Sequence, residues 1–211
     1  MPGRAAAGST ERLGGNDRYE TAITVAQKVK SEGRAGSTVL LTTGLNFPDA
    51  VMAGGWPGDA VIVLTRTESL PTVSKNFINQ SSVSTVYAIG GTSAIPDAQL
   101  DEIRRLGKTV QRLSGTNRYA TAVAVSAASV NAKSVRDLWI ASGTSFTDQL
   151  VAAAGARRTG GSFMIAAPSS ALSAAQITEI DRIRSSNGLT VHVVDGQSVL
   201  GSVSVTGATK R

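Results

Sequence analysis

The chain has 211 residues, no cysteine, one histidine, 21 basic and 15 acidic side chains, and a formal net charge of +6 at pH 7. The absence of cysteine excludes disulfide scaffolds, thiol catalysis and cysteine-ligated zinc, and a single histidine argues against a histidine metal cage. The basic excess favours an anionic partner, because arginine makes two-point contacts with phosphate and carboxylate groups. The positive charges are scattered and no basic run alternates with aromatic residues, so we expect no nucleic-acid binding.

The amino terminus and the longest uncharged stretch contain no membrane or export signal. Residues 1–10 lack the apolar core of a signal peptide, and we predict a flexible leader there. Residues 159–178 are uncharged but contain two glycines, a proline and four serines. Such a composition does not form a hydrophobic span, so we expect no membrane insertion.

Apolar periodicity alternates between helix and strand along the first half of the chain. The spacing predicts a helix over 18–30, then short β-branched strands over 38–42 and 60–64. These strands lack polar alternation, which is typical of strands buried on both faces of a parallel sheet. The later predicted elements are a helix over 70–79, a strand over 85–89, a helix over 96–106 and a strand over 109–113. The alternation predicts an α/β fold in which helices cover both faces of a mostly parallel sheet.

The sequence repeats itself at a spacing of about one hundred residues. The segment RLGGNDRYETA over 12–22 recurs as RLSGTNRYATA over 112–122. Three further pairs follow in the same order: 42–53 with 141–152, 60–70 with 162–172, and 86–95 with 191–200. Four ordered matches indicate two copies of one module. We therefore divide the chain into a leader over 1–10, module 1 over 11–110 and module 2 over 111–211.

Module 2 is shorter than module 1 near its end. If Gly207 matches Gly115, about thirteen residues are missing where module 1 carries the helix over 96–106, and a strand over 202–206 follows almost directly. One face of the second sheet would then lack its covering helix. We expect self-association through module 2, which would cover such a face.

The repeated motifs resemble a known family. An opening motif R-L-x-G-x-(D/N)-R-Y-x-T-A, a strand with G-x-x-F-x-D, an apolar strand and a V-x-x-I-G-G turn are similar to the type 2 cell wall-binding repeat of Gram-positive surface proteins. The resemblance covers both copies and implies tandem Rossmann-like modules, usually three, around a pseudo-threefold axis. It also implies an extracellular location and non-covalent anchoring to an anionic wall polysaccharide or teichoic-type polymer. Enzymatic activity and cofactors are not expected of such modules.

The opening motif of each repeat supplies the first candidate binding residues. Arg18 and Arg118 either reach the phosphate or carboxylate of the polymer, or stay within their module as ties to an aspartate (Asp49 or Asp148) and loop carbonyls. The structural tie is the favoured interpretation, because partly buried arginine–carboxylate pairs are common in protein architecture. The other arginines of these motifs, Arg12 and Arg112, come at strand ends, and we expect them to be more exposed.

Two loops of module 1 supply the other candidates. Gly90, Gly91 and Thr92 follow a buried strand, where α/β sheets hold phosphate groups, although an ordinary turn explains them as well. Trp56 in a Gly-Gly-Trp-Pro-Gly loop is either an exposed platform for stacking a sugar or a packed side chain. No catalytic or metal site is predicted, because no acid–base pair or nucleophile motif recurs in both copies.

Two functions remain open at this stage. The first is a non-catalytic module that binds an anionic polymer of the cell wall. The second is a structural protein, for instance a bacteriophage virion component, that reuses the same scaffold. The missing export signal, the shortened second module and the absence of a further domain in this sequence favour considering the second.

Overall fold

A computed structural model describes residues 10–80, 82–130, 134–168, 171–184 and 188–195. Module 1 contains a four-stranded parallel sheet in the order β2-β1-β3-β4. Its elements in chain order are α1 (Arg18–Ser31), β1 (Thr38–Thr43), α2 (Phe47–Gly54), β2 (Val61–Thr65), α3 (Thr72–Ile78), β3 (Thr85–Ile89), α4 (Asp97–Arg105) and β4 (Thr109–Leu113). The predicted α/β fold with parallel sheets is confirmed.

Module 2 repeats this plan with a parallel sheet in the order β6-β5-β7. Its elements are α5 (Arg118–Ser129), β5 (Asp137–Ser142), α6 (Phe146–Thr159), β6 (Ser162–Ala166), α7 (Ala174–Arg184) and β7 (Thr190–Val194). The shortened region with its predicted strand over 202–206 lies outside the described residues. None of the described helices is long and apolar enough to cross a membrane.

The first helix of each module starts in the same way because the opening motif supplies a cap. The Oδ1 atom of Asp17 accepts hydrogen bonds from the amides of Tyr19 and Glu20, each at 2.9 Å. The Oδ1 atom of Asn117 accepts the equivalent pair at the start of α5. Aspartate and asparagine favour this position because their side chains satisfy otherwise unpaired amides of the first turn.

The second helix differs in length between the modules. The helix α2 has 8 residues and ends before Gly55, with Pro57 close behind, whereas α6 has 14 residues and ends at Gly160 in the left-handed conformation. Proline lacks an amide hydrogen and restricts the residue before it, so α2 cannot continue through this loop. The sequence of α6 contains no proline and runs for nearly two further turns.

The two modules share an apolar core. On one face of the first sheet, β-strand side chains pack against α1, α3 and α4. On the opposite face, α2 lies between its own sheet and the helices α5 and α6 of module 2. The shared core includes Met52 and Ala53 of α2, Ala152 and Ala153 of α6, and Phe163 of β6. Burial of these side chains joins the modules into one packed unit.

The last strand of module 1 carries the start of the second repeat. The strand β4 pairs in parallel with β3, and Ile89 lies opposite Leu113. Arg112 and Leu113 are the first two residues of the second opening motif, which begins RLSG. The predicted boundary at 110/111 therefore falls inside a strand of the first sheet.

In each module a tryptophan ring packs against an aromatic ring of the third strand, but the two tryptophans come from different elements. In module 1, Trp56 from the loop after α2 packs on Tyr87 of β3, with 4.9 Å between ring centroids. In module 2, Trp139 of β5 packs on His192 of β7 at 4.2 Å. Gly155 of α6, which corresponds to Trp56, leaves the room that the Trp139 ring occupies. The space between the second helix and the sheet is thus filled by an indole ring in both modules, from the loop after α2 in module 1 and from β5 in module 2.

We expect Gly155→Ala to destabilise the protein by about 1–3 kcal/mol, because an added Cβ would lie 2.6 Å from the Trp139 ring. The same substitution in a Trp139→Leu background should stabilise α6, since alanine favours a helix interior over glycine by about 1 kcal/mol. Urea unfolding of the four proteins in this cycle measures the sign change. Destabilisation of equal size in both backgrounds would contradict the packing argument.

Candidate functional site

A cleft opens at the carboxyl ends of the strands in module 1. Because the sheet order is β2-β1-β3-β4, the loops after β1 and β3 diverge there, which is where open α/β sheets form ligand crevices. The cleft has a volume of about 530 Å³. Its walls are the loop after β1, the loop after β3 and the start of module 2. Both modules are therefore needed to form it.

One acidic and one basic side chain line this cleft. Asp49 comes from the first turn of α2, and Arg118 is the first residue of α5. Burial raises the pKa of the Asp49 carboxyl above its ordinary value, and the positive charge of Arg118 opposes this shift. The carboxylate of module 1 and the guanidinium of module 2 thus interact electrostatically across the module junction.

The two arginines at the helix starts make the same contact in their own modules. The Nη1 atom of Arg18 donates to the carbonyl oxygen of Gly44 at 2.5 Å. The Nη1 atom of Arg118 donates to the carbonyl oxygen of Gly143 at 2.9 Å. The predicted tie to a loop carbonyl is therefore present in both modules. Arg118 also acts electrostatically on a carboxylate that the prediction did not pair with it, Asp49 of the other module.

Arg112 is not exposed as we expected. Its side chain is 17% exposed, and its guanidinium donates to the carbonyl oxygens of Gly90 and Ile95 and to the Oδ1 atom of Asp97, at 2.7–2.8 Å. These bonds hold the loop after β3 against β4. The guanidinium of Arg112 therefore serves the structure of module 1. Arg12, by contrast, is exposed as predicted.

The glycine turn after β3 lies at the cleft, but one of its backbone amides is already hydrogen-bonded within the sheet and cannot bind a ligand. The amide of Gly90 donates to the carbonyl oxygen of Leu113 at 3.0 Å, so the sheet uses this donor. Gly90 has a φ of +129°, and an added Cβ would lie 2.9 Å from the Asp49 carboxylate. Glycine is required here on both counts. Gly91 lines the cleft, and Thr92 is exposed beside it.

Trp56 is not an exposed stacking platform. Its side chain is 8% exposed and belongs to the apolar core that the two modules share. The Nη1 atom of Arg157 donates to its carbonyl oxygen at 3.3 Å and fixes the loop against α6. Because the indole is packed within this core, a sugar cannot stack on it.

Sequence reasoning missed the other polar residues of the cleft. Asn46, Ser93 and Asn117 also line it, and Phe47 lies at its mouth, 45% exposed. Asn46 precedes α2 without capping it, whereas the corresponding Ser145 caps α6 through its hydroxyl. Among the described residues, no group of three or more metal-ligating side chains is arranged to hold an ion.

Comparisons with known proteins agree with the repeat. The model of a family described as cell wall binding domain 2 (CWB2) matches residues 12–100 and 112–206. The N-acetylmuramoyl-L-alanine amidase LytC of Bacillus subtilis strain 168 is 29% identical over 130 residues, which are 61% of this chain and 26% of that protein.

Two solved structures share the fold. Cwp6 from Clostridium difficile superimposes with a TM-score of 0.81 at 19% identity, over 99% of this chain and 34% of that one. Cwp8 from Clostridium difficile gives a TM-score of 0.75 at 21% identity, over 93% of this chain and 32% of that one. The chain thus spans about a quarter to a third of the proteins that it matches.

Proposed function

Because the chain belongs to the cell wall binding domain 2 family, we propose that it attaches non-covalently to anionic secondary polymers of the cell wall. The location of this binding is the outer surface of the cell. The observation that carries the proposal is the cleft at the module junction, where an exposed arginine faces a space of about 530 Å³. Arg118 spends one of its five N–H donors on Gly143 and can use others on a phosphate or carboxylate.

We propose that the chain itself is not an enzyme. The cleft combines Asp49 with Arg118, and neither its lining nor its rim supplies a nucleophile held by a base. The amidase relative is matched over 26% of its length, and its activity is a property of that whole protein. Nothing in the comparisons supports the alternative of a virion component.

The experiment is a pull-down on purified Gram-positive walls, before and after chemical removal of the secondary polymers. We expect the chain to bind intact walls and to lose binding once the polymers are removed. Arg118→Gln should weaken binding at least tenfold, because it removes the positive charge of the cleft. Arg18→Gln is the matched control, since Arg18 makes the same glycine contact but does not line this cleft. Unchanged binding to stripped walls would refute the proposal.

We also propose that the chain associates with a second copy of itself through α6 of module 2. Val51 and Met52 of α2 are 6% and 1% exposed because module 2 covers them. The corresponding residues of α6, Leu150 and Val151, are 52% and 61% exposed. An apolar helix face of this kind favours a partner.

Module 1 offers a surface that matches this helix face. In module 2, four apolar residues of α5 and β6 belong to the core that packs around α2, and all are buried: Ala122, Val125, Phe163 and Ile165. The strand pairing places Val61 of β2 at the position of Ser162 of β6, so the predicted match of 60–70 with 162–172 is wrong by one residue. In the observed register the counterparts in module 1 line an open apolar groove: Ala22, Val25, Ile62 and Leu64. The contact that joins the modules within the chain can therefore be repeated head to tail between two copies.

A further inference from the structure

We propose that the cleft at the module junction binds a sugar unit of the polymer through its hydroxyl groups, with Asp49 as the acceptor and Arg118 holding the neighbouring anionic group. This inference rests on the proposed function and narrows its ligand. The ligand class is a hydroxylated sugar that carries a phosphate or carboxylate, and not the anion alone.

The charges of the cleft argue against an anion as the whole ligand. Asp49 and Arg118 are the charged side chains that line it, and their charges cancel. An anion at Arg118 is repelled by the Asp49 carboxylate, so a bare phosphate binds weakly, whereas a sugar that carries the anion adds hydrogen bonds to Asp49 that offset this repulsion. Sugar hydroxyls, by contrast, donate hydrogen bonds, and a carboxylate accepts them more strongly than a neutral oxygen does.

The neutral side chains of the cleft suit the same ligand. Asn46 has no capping bond, so its amide can both donate to and accept from a hydroxyl. Asn117 uses its Oδ1 atom on the amides of Tyr119 and Ala120, which leaves its NH₂ group as a donor. Ser93 adds an exposed hydroxyl at the opposite wall.

An apolar surface completes the site. Phe47 and Phe146 are the first residues of α2 and α6, and each is 45% exposed. Their rings meet edge to face at 5.0 Å between centroids. Phe47 stands at the mouth of the cleft, where the C–H face of a sugar can lie against its ring.

A different role for Asp49 makes opposite predictions. If the carboxylate only orients Arg118, then the polymer anion competes with it, and removing its charge tightens binding. If it accepts sugar hydroxyls, removing its charge weakens binding. The pH dependence separates the two roles as well, because protonation removes both the charge and the acceptor.

The test uses polymer released from Bacillus subtilis walls, either intact or oxidised with periodate, which cleaves vicinal diols and leaves phosphodiesters in place. We expect the full chain to bind oxidised polymer at least tenfold more weakly than intact polymer. Inorganic phosphate should not compete at equal anion concentration. Equal binding of the two polymers would overturn this inference and leave the proposed function standing. No binding of either polymer would overturn both.

The variants supply the second readout. Asp49→Asn should weaken binding of intact polymer at least tenfold, while Asp148→Asn, the matched position of module 2 outside the cleft, should leave it unchanged. Tighter binding by Asp49→Asn would overturn the inference. If Asp49→Asn fails to fold, Asn46→Ala replaces it, since this side chain has no capping bond to lose.

The pH profile follows from the raised pKa of Asp49. The acceptor is the ionised form, so binding is complete above this pKa and is lost as the pH falls through it. Because burial raises the pKa, the loss should occur at higher pH than for an exposed aspartate. Asp49→Asn should remove this step from the profile. Wild-type binding that strengthens on acidification would instead indicate competition for Arg118 and overturn the inference.

Discussion

Met52→Lys should reduce the free energy of unfolding by about 4 kcal/mol or more. Met52 is 1% exposed in the core that joins α2 to module 2, so the ammonium group would be buried without a partner. The loss of the side chain from this core adds to the cost of desolvation. Thermal unfolding followed by circular dichroism measures the effect.

The repeat offers a matched control for this substitution. Val151 occupies the same position of α6 as Met52 does of α2, but it is 61% exposed. Val151→Lys should therefore leave stability within about 0.5 kcal/mol of wild type. It should also abolish the self-association that we propose, as light scattering would show by a fall in molar mass to one chain. Equal destabilisation by both substitutions would contradict the assignment of α2 to the module junction.

Glu179→Ala should cost about 3–5 kcal/mol, because it breaks a buried polar network by removing one partner. Glu179 is 4% exposed and accepts from Ser126 and from Arg182, the latter through two bonds of 2.6 and 2.7 Å. Ser126 in turn lies 2.6 Å from the hydroxyl of Ser162. Without the carboxylate, the buried hydroxyl of Ser126 and the guanidinium of Arg182 would lose their common acceptor.

In module 1, the site that corresponds to this polar network is filled by apolar side chains. The residues that correspond to the network are apolar: Ala26, Val61 and Phe77. The triple substitution Ser126→Ala, Ser162→Val and Glu179→Phe should therefore be more stable than Glu179→Ala alone, since no buried polar group remains unpaired. Urea unfolding of both variants compares them. A triple variant less stable than the single one would show that module 2 depends on the network itself.

The fold could be predicted from the sequence because its signals are local. Strands over 85–89 and 109–113 were predicted with the bounds that the structure shows, since short β-branched runs between turns specify buried parallel strands. The order of the repeat motifs then indicated the second sheet. Element ends differ by one or two residues: the predicted helix over 70–79 is Thr72–Ile78, and the predicted strand over 60–64 is Val61–Thr65.

The site was only partly predictable because it forms between the modules. A repeat pattern relates each opening motif to its own module, so Arg118 was matched with Asp148 and not with Asp49 across the junction. Arg112 lies near a strand end as expected but is not exposed, because three acceptors on the loop after β3 and the start of α4 hold its guanidinium. The exposure of Trp56 could not be predicted from its loop of glycines and proline, because the side chains that bury it come partly from module 2. Contacts between distant segments leave no local pattern in a sequence.

The strand β4 shows that the segment duplicated in this gene differs from the segment that folds. The residues RLSG open the second repeat, yet Arg112 and Leu113 close the first sheet. A fragment cut just before Arg112 would expose part of the edge of β3 and lose the arginine that fastens the following loop. The start of module 2 therefore completes the sheet of module 1, and a truncation keeps that sheet intact only when the cut falls after Leu113.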